Sequence, residues 1–330
     1  MKNKKRVLSG IRSTGRLHLG NYLGMVKGML ELQDNFSYEV LYMVADLHSL
    51  TTPHDKDSLK STARDVVLDY LSSGLDPERS SVFLQSHLSA EPTELAFYFS
   101  TVSTLARMQH LPTFKEKAKQ HPENVTMALV NYPLLMASDI LIYKATDVPV
   151  GIDQEPHLEV TREVARKMND RYGMDFPEPM RFETKTGYVP SLLGEGKMSK
   201  SVEGSFISLV DDLETIKKKL AQAPTDSGKG DEVPSSGGVA NLLQLVELFC
   251  GIERRRGYEK MYVSEGIRYG DLKTELAEAI YKELEPIQKK RKELEAKPEY
   301  VNKIIEDGAK KAREIASATV REVKEKMGLI

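Results

Sequence analysis

From residue 6 to about residue 190, short β-branched and apolar runs alternate with longer stretches whose apolar positions recur every three or four residues. This alternation predicts βαβ units, and so a parallel sheet with helices on both faces. Residues 6–11, 39–46, 81–85 and 147–151 read as four strands. Between the second and third, Leu59, Ala63, Val66, Val67, Tyr70 and Leu71 share one helical face, and Gly74 marks its C-terminal stop. The same spacing in Leu158, Thr161, Ala165, Met168 and Tyr172 predicts a helix after the fourth strand.

Beyond about residue 200 strand-like runs become rare and charged amphipathic helices dominate. The pattern therefore divides into an α/β domain over 1–200 and a helical domain over 201–330. Residues 224–238 (PTDSGKGDEVPSSGG) are rich in Gly, Pro and Ser and read as a flexible internal hinge. Pro286 and Pro298 punctuate the later helices. In the last one, Val301, Ile304, Ile305, Ala309, Ala312, Ile315, Val320 and Val323 form one stripe. That stripe is expected to pack back on the first domain or on a neighbouring subunit.

Composition narrows the function classes. The 330 residues, 40% of them apolar, suffice for a sizeable core. With 47 basic against 49 acidic residues there is no global positive field, so any nucleic-acid contact must be local. Three basic clusters qualify, Lys217–Lys219, Arg254–Arg256 and Lys289–Lys292, although nearby glutamates make a solvated helix face the simpler reading of each. Cys250 is the single cysteine, which excludes an intrachain disulfide and a cysteine-rich metal site. No apolar stretch long enough for a signal sequence or a membrane span follows the basic N-terminus, so a soluble, cytoplasmic chain is expected. No internal repeat is visible.

Two short segments carry the chemistry. In an open parallel sheet ligands bind beyond the carboxyl ends of the strands, and the first strand runs into the polar loop Ser9-Gly10-Ile11-Arg12-Ser13-Thr14-Gly15. His18-Leu19-Gly20-Asn21-Tyr22 follows where a helix is expected to start, presenting N–H groups and a dipole to an anion. Gly20 is expected to let a ring or phosphate approach the backbone, with His18 and Asn21 as donors. The loop has neither the P-loop spacing nor the Gly-x-Gly-x-x-Gly of dinucleotide folds, which disfavours dehydrogenase chemistry. The second segment is Lys197-Met198-Ser199-Lys200-Ser201, whose two lysines and two hydroxyls suit a phosphate clamp. Losing one well-placed donor in such a clamp typically costs about 3 kcal/mol of transition-state stabilisation.

Taken together, His-Leu-Gly-Asn and Lys-Met-Ser-Lys-Ser on an α/β domain followed by a helical one resemble the signature pair of the class I aminoacyl-tRNA synthetases. The resemblance spans essentially the whole chain. Finer blocks are similar to the tryptophanyl branch: Asp46-Leu47-His48, Phe114-Lys115-Glu116-Lys117, the run from Tyr132 to Leu141, and the run from Gly151 to Arg162. The resemblance implies a Rossmann-like doubly wound catalytic domain and a helical anticodon-binding domain. It implies activation of L-tryptophan by ATP with Mg²⁺, then transfer to tRNA(Trp), by a homodimer without a protein-bound structural metal and without a membrane partner. Such chemistry uses the substrate carboxylate as nucleophile and asks the protein for orientation and charge stabilisation.

Site residues follow from the same resemblance. His18, Asn21, Lys197 and Lys200 take the catalytic positions. Arg12, Ser13, Thr14, Gly20, Asn21, Gly151, Ile152, Asp153, Val189, Lys197, Met198, Ser199, Lys200 and Ser201 map onto the ATP site. Leu8, Gly10, His48, Tyr132, Met136, Asp139, Val148, Val150 and Gln154 map onto the tryptophan pocket. An indole N–H can only donate, so a buried acceptor is required, and Asp139 holds that position, with Tyr132 and Gln154 for the ammonium. Pro133 is placed to break or kink the helix beside Tyr132. His48 reads equally as an ordinary strand-end histidine, and Lys115 and Lys117 either reach phosphates or stay in solvent. Arg12-Ser13 departs from the Gln-Pro pair frequent in the family. Tyrosyl-tRNA synthetase and a non-catalytic RNA-binding paralogue are the alternatives.

Overall fold

A computed structural model of the chain describes residues 4–183, 189–200 and 202–330. The first half runs β1 (Lys5–Ile11), α1 (Leu19–Asn21), a π-helical turn (Tyr22–Val26), α2 (Lys27–Asp34), β2 (Tyr38–Val44), α3 (Asp46–Ser49), α4 (Leu59–Ser72) and β3 (Ser80–Leu84). It continues with α5 (Ala90–Ser100), α6 (Leu105–Gln109), α7 (Pro112–Gln120), α8 (Met127–Leu141), β4 (Asp147–Val148), α9 (Glu155–Tyr172) and β5 (Met180–Arg181). Then come α10 (Leu213–Ala221), α11 (Gly237–Cys250), α12 (Ile252–Val263), α13 (Tyr269–Glu295) and α14 (Pro298–Met327).

Two compact units share these elements, and both are discontinuous in sequence. One comprises Met1–Gly15, Gly28–Thr184 and Lys297–Ile330, the other Arg16–Lys27 and Lys185–Ala296. A single cut after residue 200 therefore differs from the packing. Contiguity along the chain cannot reveal that a twelve-residue piece carrying His18 packs with the helices, whereas α14 packs with the sheet, one of the two placements its apolar stripe suggests.

The sheet unit holds five parallel strands in the order β3-β2-β1-β4-β5. Val7 faces Val40 across β1 and β2, and Val44 faces Leu84 across β2 and β3. The order reverses between β1 and β4, the switch point beyond whose strand ends open α/β sheets bind ligands. Two strand ends differ from expectation. β2 stops at Val44 because Asp46 opens α3, its carboxylate accepting from the N–H groups of Leu47 (3.1 Å) and Ser86 (2.8 Å). β4 stops at Val148, and β5, two residues long, lacks the periodicity that would have disclosed it.

Buried Leu8, Leu41 and Phe83 from the sheet meet Phe99 of α5, Leu134 and Ile140 of α8, Leu158 of α9 and the Ala312–Ala316–Val320 stripe of α14 in one core. Gly308 lets α14 come so close to β3 that a Cβ there would lie 2.1 Å from the Val82 carbonyl oxygen. α8 runs through Pro133 without ending.

In the helical unit, Leu272, Leu276, Ile280 and Leu284 of α13 are fully buried, and α10 and α11 pack along this helix. Pro286 lies inside α13 rather than ending it, whereas Pro298 occupies the first turn of α14. The expected hinge at 224–238 is pinned. Asp226 accepts from the hydroxyls of Tyr262 and Tyr269, both at 2.6 Å, and from the Gly228 N–H at 2.8 Å. Gly238 abuts the Pro224 carbonyl at a spacing no Cβ would allow. Gly230 and Gly238 serve close packing, while Gly228 and Gly237 take the positive φ that glycine adopts readily.

Candidate functional site

In the sheet unit, α8 carries Asp139 into the core, where it is 2% exposed. His48 Nε2 lies 2.8 Å from one carboxylate oxygen, and the Gln85 side-chain amide donates to both oxygens at 2.8 and 2.9 Å. Burial pushes the Asp139 pKa up, while His48 and Gln85 pull it back toward the ionised form. A carboxylate offers about four lone-pair sites, so three contacts leave room for another donor. Leu8 and Val148 are buried in the same apolar core as Tyr132, with Val150 and half-buried Met136 packed against it. Gly10, at the end of β1, is exposed, and a Cβ there would meet the Met43 methyl at 3.2 Å. His48 and Gln85, the latter marked by no sequence pattern, thus both bond the Asp139 carboxylate.

Tyr132, on the same helix, reaches a second buried cluster. Its hydroxyl lies 2.9 Å from Nε2 of His157, which lies 3.1 Å from the Thr113 hydroxyl. Burial drops the His157 pKa to about 4, so the ring is neutral, and its Nδ1 is buried without a hydrogen-bond partner. One turn beyond Thr113 on α7, Lys117 has its pKa lowered by burial and then by repulsion from Arg12. Two cations brought together at the carboxyl end of β1 suit an anionic ligand. Lys115 is exposed.

Other expected contacts are placed less directly. Ser13 is buried with its hydroxyl 3.0 Å from that of Ser49, so it braces the loop, while Thr14 is exposed. After β4, Gly151 lets the Asp153 carboxylate tuck against the backbone, where a Cβ would clash at 2.5 Å. Gln154 donates to Asp153 at 2.9 Å, and Ile152 points into solvent.

In the helical unit the two signature segments meet. His18 caps α1, and its backbone N–H donates to the Asn21 side-chain oxygen at 3.2 Å. Its buried imidazole has a pKa lowered to about 4, by burial first and then by the charges of Lys200 and Lys197. The ring is neutral at pH 7, with Nδ1 buried and unpartnered. A Cβ on Gly20 would lie 2.8 Å from this ring and 3.3 Å from Met198 Cβ. The absent side chain of Gly20 thus leaves room for the His18 ring and for Met198.

Met198 is a buried peg and Val189 is buried, the Met198 N–H donating to the Val189 carbonyl at 3.1 Å. Ser205 grips Ser199 at both its N–H (3.2 Å) and its carbonyl (2.7 Å), leaving Lys197 exposed and Lys200 half-buried. Ser201 lies outside the described residues. Of the basic clusters, Arg254 is held by Glu275, Arg255 by Glu247 and Glu259, and Arg256 by Glu253. Arg291 is buried and donates to Glu295 at 2.8 Å.

Residues 1–285 match the family described as tRNA synthetases class I (W and Y). The tryptophan–tRNA ligase of Porphyromonas gingivalis is 41% identical over 98% of both chains. That of Helicobacter pylori is 41% identical over 99% of this chain and 100% of the relative. Among solved structures, Campylobacter jejuni tryptophanyl-tRNA synthetase complexed with ADP and tryptophan superposes with a TM-score of 0.85 at 31% identity, covering 98% of this chain and 99% of that one. The Mycoplasma pneumoniae tryptophanyl-tRNA synthetase reaches the same score at 33% identity, covering 98% of each.

Proposed function

This chain belongs to the class I tRNA synthetases for tryptophan and tyrosine and is a tryptophan–tRNA ligase, and from that premise we propose how its residues divide the work. The observation that carries the proposal is Asp139, a buried carboxylate held by His48 and Gln85 within an apolar core. It accepts the indole N–H. Tyr132, oriented by His157, and Gln154 receive the ammonium group. Arg12 and Lys117 face phosphate oxygens, and Gly151 with Asp153 faces the ribose.

In the helical unit, His18, Asn21, Lys197 and Lys200 take the triphosphate, with magnesium carried on ATP as part of that substrate. The tryptophan carboxylate attacks the α-phosphorus, and pyrophosphate leaves. Neutral His18 supplies a hydrogen bond without adding a third positive charge beside the lysines, which stabilise charge developing on the departing phosphates. The terminal ribose hydroxyl of tRNA(Trp) then attacks the acyl carbon and releases AMP.

Tryptophan-dependent exchange of pyrophosphate into ATP tests the first step, with tyrosine unable to replace tryptophan. Because the chain contains no tryptophan, emission from the ligand alone reports binding. Asp139→Asn should weaken that binding about 10- to 100-fold, the equivalent of roughly 1–3 kcal/mol for a mispaired buried polar group, and leave ATP binding within twofold. Equal affinity for tryptophan would remove the pocket assignment. We also propose a homodimer, because Phe97 of α5 (69% exposed), Leu105 of α6 (57%) and Met127 of α8 (69%) expose large apolar side chains on helices that pack on one another. Among the described residues, no helix is long and apolar enough to cross a membrane.

A further inference from the structure

The helix that follows His18 carries an irregularity. Tyr22–Val26 form a π-helical turn, closed by the Lys27 N–H donating to the Tyr22 carbonyl. In a regular α-helix, residues five apart point about 140° away from each other. The wider π turn brings Tyr22 and Lys27 to the same side, and both reach one oxygen of Glu283 on α13. The Tyr22 hydroxyl donates to it at 2.9 Å, and Lys27 Nζ pairs with it at 2.9 Å. Burial works against the charge on Glu283, but Lys27 and Tyr22 outweigh it and hold the carboxyl below its ordinary pKa.

The other flank of His18 is held from the same helix. Gln288 donates its side-chain amide to the carbonyls of Leu209 (3.0 Å) and Asp211 (2.9 Å). Those residues continue the stretch that pairs antiparallel with His18 through Ser208, with Leu19 donating to Ile207 at 2.9 Å and Leu209 to Leu17 at 3.1 Å. Phe206, at the start of this stretch, lies 5.6 Å from the His18 ring, and Lys219 sits 5.1 Å from the Phe206 ring centre while pairing with Asp211 at 2.5 Å. Pro286, between Glu283 and Gln288, removes one backbone hydrogen bond from α13 at the place where both grips are made.

We propose that Glu283 and Gln288 are positioning residues for ATP activation: from either side of Pro286 they hold the two backbone segments that fix His18. Neither touches the nucleotide; they act through the Tyr22 turn and the Leu209–Asp211 stretch. The proposal rests on the assignment of His18 to the triphosphate. It makes α13 the element through which a disturbance in the helical unit reaches the first chemical step.

The test is tryptophan-dependent pyrophosphate exchange with ATP and tryptophan varied separately, on full-length Glu283→Ala, Glu283→Gln, Tyr22→Phe and His18→Ala. Glu283→Ala should lower kcat/KM for ATP at least tenfold and keep tryptophan affinity, read by ligand fluorescence, within twofold. Tyr22→Phe removes one oxygen, retains the fold, and should reproduce most of the loss. Glu283→Gln still accepts from Tyr22 and should recover activity to within about threefold of wild type. Unchanged ATP kinetics in Glu283→Ala and Tyr22→Phe, alongside a defect in His18→Ala, would overturn the positioning role alone. Normal ATP kinetics in His18→Ala would instead remove the triphosphate assignment beneath it. Parallel losses of ATP and tryptophan affinity in Tyr22→Phe would mean general loosening and count against the proposal.

Discussion

At the scale of single residues, Asp139 is controlled by what surrounds it. Gln85 donates to both carboxylate oxygens, and these bonds oppose the upward pKa shift that burial imposes. Gln85→Met keeps the volume and removes the donors, so the ionised form loses support and the pKa rises further. Tryptophan binding, followed by ligand fluorescence against pH, should lose affinity at neutral pH, and its acid limb should move to higher pH. An unmoved limb would show that Gln85 does not tune the carboxylate. Asp139 and His48 were legible because each sits in a recognisable block of sequence. Gln85 was not, since a single glutamine at a strand end belongs to no periodicity and its partner lies 54 positions away. Gly20 was legible as a site of close approach, but nothing in its spacing says that the His18 ring and Met198 crowd it.

At the scale of elements, the three long strands and the helices α4 and α9 were readable because burial on a sheet or on one face leaves a regular apolar pattern. β5 has two residues, too few for any pattern, and Pro286 looked like an end because sequence alone cannot weigh one missing hydrogen bond against the buried stripe of α13. The segment 224–238 misled for a related reason: glycine marks both loose chain and tight contact. Gly308 tests that distinction. In an exposed helix interior, alanine for glycine stabilises by up to about 1 kcal/mol, but here the added methyl would collide with the Val82 backbone. Gly308→Ala should therefore destabilise, by about 1–3 kcal/mol for an overpacked contact, visible as a lower urea midpoint. A midpoint equal to or above wild type would mean that α14 can move off β3 at little cost.

At the scale of the whole molecule, the chain is interleaved: the segment bearing His18 belongs to the helical unit although sheet-unit residues precede and follow it. The motifs announced both segments, but only packing could say which unit owns each. The exposed side chains of Phe97, Leu105 and Met127 make the proposed dimer testable. Phe97→Glu should convert it to monomer by light scattering at micromolar concentration, and an unchanged mass would place the interface elsewhere. The ownership of α14 has its own consequence. β3 is an edge strand, and α14 lies against it, with Arg313 donating to the His87 carbonyl 226 residues earlier. During synthesis at about 5–20 residues per second, that edge emerges from the ribosome tens of seconds before its cover exists. An uncovered edge is a template for pairing with other strands, so the nascent chain carries that pairing hazard until α14 docks.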